Sequence, residues 1–140
     1  MNEIWLEKLA QFERPGRYIG GEKGVIIKDP REVNLRMALC FPDVYEIGMS
    51  HQGLKILYGR INSRPDFQAE RVMAPWLDAE AGLRESGRGL RGLETDTLLR
   101  DFDVVGFSLQ YELTYTNILN MLELGGLPLL AEDRDDDAPL

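Results

Sequence analysis

One cysteine and one histidine are all that 140 residues offer to soft metals. The lone thiol, Cys40, can form no internal disulfide, and by itself it holds neither an iron–sulfur cluster nor a structural zinc. It lies in the apolar run MALCF and reads as a buried strand residue. Long apolar runs are also missing. None approaches the ~20 residues of a membrane-spanning helix, and no secretory hydrophobic region opens the chain. Positive charge is scarce: 16 Lys and Arg face 24 Asp and Glu, a net charge of −8. That disfavours the basic face needed to grip nucleic-acid phosphates, although a local basic patch stays open. So little cysteine and no export signal make a reducing cytoplasm the expected compartment. There is no internal repeat and no long low-complexity segment.

What remains is ordinary for a globular protein: 44% hydrophobic and 29% charged residues. The length suits one domain with a real core. NEIWLEKLAQF spaces Ile4, Trp5, Leu6, Leu9 and Phe12 near a helical period. A glycine-rich loop follows, in which Gly20-Gly21 reads as a turn because a phosphate cradle would need a strand before it and a helix after it. VIIK (residues 25–28) predicts a short strand, DPREVN a turn, and LRMALCF (residues 35–41) a strand buried on both faces. A helix is expected over residues 49–61, a strand over 69–75, and a helix opened by Pro75 to about residue 85. Trp76 is expected to pack under that helix. ETDTLLRDF predicts a short helix, and DVVGFSL (residues 103–109) a third strand. YTNILNMLELGG predicts a last helix, capped by Thr114 and ended by Gly125.

Strands alternating with helices give an α/β fold: a Rossmann-like, doubly wound, mostly parallel sheet with flanking helices. Three strands are few for such a sheet, so the fold reads as truncated at its C-terminal end, with an unpaired edge expected to promote self-association. The expected organisation is an N-terminal helix and loop (1–24), the incomplete α/β domain (25–130) and an acidic linker or tail (131–140). The run at residues 133–137 lacks the turn glycines of an EF-hand and reads as solvated.

Ligands of open α/β sheets bind outside the carboxyl ends of the strands. Two loops therefore hold the candidate site. After the first strong strand come Asp43, Tyr45, Glu46, Gly48, Ser50 and His51; after the third come Ser108, Gln110, Tyr111 and Glu112. Gly48 would let a ligand approach the backbone, and the following helix start would favour an anionic group. Each residue also has a structural reading. A lone histidine near a helix start is more often a cap than a ligand. Asp43 can accept bonds from its own turn, and Tyr45 can cover the loop with its ring.

Asp43-Val44-Tyr45-Glu46-Ile47-Gly48 resembles the Asp-x-His-x-x-Gly motif of cobalamin-binding domains, with Tyr45 in the histidine place. DVVGFSLQ resembles the same fold's third strand and its Ser-x-Leu motif: Ser108 matches, and Gln110 stands for leucine. The blocks RYIGGE, FPDVYEIGMSHQGLKILY, APWLDAE and GFSLQYELTYTNIL, spread in order over residues 13 to 130, together resemble the N-terminal region of a family of largely uncharacterised radical SAM proteins. That resemblance implies a cobalamin-binding-like module followed by a radical SAM barrel in the same protein. S-adenosylmethionine and a four-iron cluster on a Cys-x-x-x-Cys-x-x-Cys motif would belong to that barrel only. This chain lacks the motif, so it is expected to position a ligand rather than to catalyse. The resemblance carries Asp43, Tyr45, Gly48, Ser50, His51, Ser108, Gln110 and Tyr111 as cofactor-facing residues. Tyr45 has no nitrogen for cobalt, so cobalamin would bind without one there, or His51 would replace it. The alternative is a degenerate Rossmann-like scaffold or interaction domain that binds no cofactor.

Overall fold

The computed structural model describes residues 3–140. Asn2 of the expected first helix lies outside the described residues, as do the side chains of Ile4 and Leu6. The elements run α1 (Glu3–Leu9), β1 (Leu35–Phe41), α2 (Tyr45–Ser50), α3 (Gln52–Asn62), β2 (Phe67–Met73), α4 (Leu77–Ser86), β3 (Val104–Phe107) and α5 (Tyr115–Leu124). The three strands form one parallel sheet in the order β2-β1-β3, so the α/β expectation holds.

Strand alternation sorts the core into two layers. Ala38, Cys40 and Val72 face Trp5 and Leu9 of α1, Leu83 of α4, and Met121 and Leu124 of α5. Leu39, Phe41, Ala69 and Met73 face Leu54 and Tyr58 of α3. Helices thus cover both faces. The chain steps from β1 to β2 with α3 on one face, and from β2 past β1 to β3 with α4 on the other. Opposite steps on opposite faces give both crossovers one hand, which for βαβ units is right-handed.

The two edges differ. β2 carries polar residues, yet six of its seven positions are buried. Its outward backbone groups are met by distant side chains. The Asn62 side chain donates Nδ2–H to Ala69 O at 3.0 Å and accepts Ala69 N–H at 2.9 Å. Arg71 N–H donates to Glu94 Oε2 at 2.7 Å, and Leu93 N–H donates to Arg71 O at 2.9 Å. Lys28 Nζ caps Phe67 O. Arg71 itself is buried with Glu94, its Nε 2.6 Å from Glu94 Oε1, and its guanidinium lies 4.5 Å from the Tyr58 ring centroid. On the other face, Glu70 is fully buried and accepts from Arg36 Nη2 and Thr95 Oγ1, both at 2.7 Å. β3, by contrast, is only half-buried at all four positions. The open edge expected from a three-stranded sheet therefore lies at β3, met at Val104 by the backbone of Leu140, and not at β2.

VIIK forms no strand. Ile26 N–H donates to Tyr58 Oη and Lys28 N–H to Gln68 Oε1, while Ile26 O accepts from Gln68 Nε2. Side chains take the bonds a ladder would have used. The expected helix over ETDTLLRDF shrinks to a 3₁₀ turn at Leu99–Asp101, because the hydroxyls of Thr95 and Thr97 are drawn to Arg36 and Glu70. Thr114 bonds Tyr111 O through its hydroxyl and leaves α5 without a side-chain cap. Trp76 is 42% exposed rather than packed beneath α4, with the Arg17 guanidinium 5.5 Å from its ring.

Candidate functional site

The strand order reverses at β1: the chain leaves β1 for β2 on one side and returns from β2, past β1, to β3 on the other. Such a switch point opens a crevice at the carboxyl ends of β1 and β3. Asp43 stands on one lip. Its Oδ1 accepts its neighbour's Val44 N–H at 2.7 Å, which pins the turn. Its carbonyl accepts Ala74 N–H at 3.1 Å, tying the end of β2 to the same loop. Tyr111 stands on the other lip, and its hydroxyl reaches Asp43 Oδ2 at 3.4 Å. Asn117, in the first turn of α5, closes the bracket by donating Nδ2–H to Pro42 O at 2.8 Å. Its only signal in the sequence is a polar side chain in the first turn after the third strand.

Ser108 is half-buried just beyond β3, its N–H held by Cys40 O at 2.9 Å, and Gln110 is exposed in the loop that follows. Of these four candidates, the structure joins Tyr111 to Asp43. The other four face elsewhere. Tyr45 turns toward the β2 side, where its hydroxyl donates to Glu22 Oε1 at 3.1 Å; burial and the Glu22 carboxylate raise its pKa. A Cβ on Gly48 would stand 2.3 Å from Met73 Sδ and 3.3 Å from Phe41 Cβ, so the missing side chain lets α2 pack on the strands. Ser50 Oγ donates to Ile47 O at 2.9 Å. His51 breaks the expected continuous helix into α2 and α3: its Nδ1 accepts Leu54 N–H at 3.2 Å as the cap of α3, and its ring rests 5.1 Å from Phe41.

Glu46 has two partners that lie far away in sequence. It accepts from Arg14 Nη1 at 2.9 Å and Arg17 Nε at 3.0 Å, and chiefly the Arg17 bond lowers its pKa to about 2. The N-terminal segment is thereby clamped to α2. Around the crevice, the segments that follow the three strands expose Ile47, Trp76, Leu77, Leu109, Leu113 and Tyr115. Exposed apolar residues gathered at one end of a sheet are the usual mark of a surface that meets something else. Among the described residues, no group of His, Cys, Asp and Glu is placed to hold a metal ion, and no helix is long and apolar enough to cross a membrane. Cys40 is fully buried, and burial pushes its thiol pKa up, which leaves it inert as a nucleophile.

These features define a doubly wound α/β domain with its crevice at the β1–β3 switch point. A family model described as radical SAM proteins, N-terminal, matches residues 53–140. The chain belongs to that family. The match includes Ser108, Gln110 and Tyr111 and begins beyond the loop that carries Asp43 and Tyr45. Neither curated proteins nor solved structures gave a match.

Proposed function

We propose that this chain is the N-terminal module of a radical SAM enzyme, and that its β1–β3 crevice positions a substrate group for an iron–sulfur barrel carried downstream in the same protein. S-adenosylmethionine and the four-iron cluster belong to that barrel. The observation that carries the reading is the Asp43–Tyr111 contact across the switch point, bordered by exposed Leu109, Leu113 and Tyr115. A carboxylate and a hydroxyl at this place bind hydroxyl or amide donors and orient them; neither is a nucleophile here.

Cobalamin held by a side chain of this loop does not fit. The Tyr45 hydroxyl is spent on Glu22, the His51 Nδ1 lone pair on Leu54 N–H, and the space beside Gly48 on Met73. No step here runs through cobalamin. The same three contacts favour the second reading, a scaffold that binds no cofactor.

The test uses the longer protein with its cluster reconstituted. Under the first reading Tyr111→Phe and Ser108→Ala slow substrate turnover about tenfold, the effect of ~1.4 kcal/mol, with little change in thermal stability. Under the scaffold reading they shift stability or partner binding and leave turnover alone. Residues 1–140 by themselves are expected to self-associate through the β3 edge. A constant monomer mass by light scattering over a wide concentration range would contradict that.

A further inference from the structure

We propose that the outer edge of β3 receives a fourth parallel strand, and that this strand is the chain running on from Leu140. The inference rests on the reading above, in which a radical SAM domain follows in the same protein. Leu140 N–H donates to Asp103 O at 3.0 Å, and Val105 N–H donates to Leu140 O at 2.8 Å. The two bonds flank Val104. They are the pair that one residue of a parallel neighbour makes, so Leu140 stands opposite Val104 and points the way β3 points. Its side chain is 90% exposed, so backbone alone holds it there.

The path of the chain explains why the occupant comes in cis. α5 carries it back to the amino end of β3 and packs Met121 and Leu124 on the same face as Leu83 of α4. A further step away from β1, on that face, repeats the hand of the β2–α4–β3 crossover. A second copy would bring its own net charge of −8 against this one. The cis strand brings no such penalty.

Register follows from alternation. Ser108 N–H is bonded inward to Cys40 O, so Phe107, like Val105, turns its N–H outward. The second residue beyond Leu140 then stands opposite Gly106 and accepts Phe107 N–H. With helices covering both faces of the sheet, the new strand is apolar on both faces.

The test compares amide exchange at Phe107 in residues 1–140 and in the longer polypeptide of the same reading frame, at several concentrations. The expected result is slowing on the order of 100-fold in the longer chain, independent of concentration. Equal exchange in the two overturns the proposal. Protection in the longer chain that grows with concentration also overturns it and assigns the edge to a second copy, whereas such growth in residues 1–140 alone is the expected self-association of the open edge; a stop codon directly after Leu140 removes the occupant. The Cys-x-x-x-Cys-x-x-Cys motif is read separately in the same polypeptide. Its absence beside a protected Phe107 fails the radical SAM reading and leaves the strand; its presence beside an unprotected Phe107 does the reverse.

Discussion

The edges of β2 and β3 belong to one three-stranded sheet and are finished in different ways. β2 is closed by Asn62, Glu94 and Lys28, side chains drawn from three separate segments, which mimic a neighbouring strand at Ala69, Arg71 and Phe67. Among the described residues, β3 is met at its outer edge only by the backbone of Leu140. At Glu94 the closure buries a charge, and a buried charge needs its partner in place. Glu70 and Arg71 have theirs. An edge left with free amides is a template for another strand. The difference therefore says in which direction this sheet can grow.

The contrast is broken most severely at Glu94. Glu94→Ala removes the acceptor of both Arg71 N–H and Arg71 Nε inside the protein, and about 3–5 kcal/mol of stability is expected to go with it. Urea unfolding reads the loss; a value near zero would mean that Glu94 does not close this edge. Asn62→Ala leaves the backbone of Ala69 without its side-chain cover and is expected to cost about 2 kcal/mol. It also opens a second edge, so light scattering should show stronger association than wild type.

Acid sharpens the comparison more gently. The N-terminal segment that covers the β2 side is clamped through Glu46 to Arg14 and Arg17. The folded pKa of Glu46, about 2, lies below its usual 4.5. The clamp's contribution is therefore complete above pH 4.5 and is lost as pH falls toward 2. The difference in melting temperature between wild type and Glu46→Gln should vanish over that window, and a difference constant down to pH 2 would exclude the clamp. The smallest effect is expected at the open edge: Leu140→Ala changes an exposed side chain and keeps the backbone pairing, so stability stays within ~0.5 kcal/mol by the same urea measurement.

Much of this fold is legible in the sequence, because apolar runs such as LRMALCF record burial on both faces. The meeting of Asp43 and Tyr111 was legible too, since both follow apolar strands and the carboxyl ends are where doubly wound sheets open. The early part of β2 was not. Phe67 and Gln68 fall outside the expected strand, and the letters Glu70 and Arg71 look solvated until partners at positions 22, 36, 94 and 95 are placed beside them. VIIK misled for the complementary reason: its pattern is that of a strand, but Tyr58 and Gln68 capture its amides. The motif around Tyr45 points to a cofactor, while its hydroxyl is governed by Glu22, a loop residue with no local signal.

The most direct measurement is residue-resolved amide hydrogen exchange on residues 1–140 at low concentration. The account predicts that Ala69 and Arg71, bonded to Asn62 and Glu94, exchange near the rate of global unfolding, while Phe107 exchanges orders of magnitude faster. Equal protection of Phe107 and Ala69 in the monomer would contradict it, because β3 would then be as closed as β2.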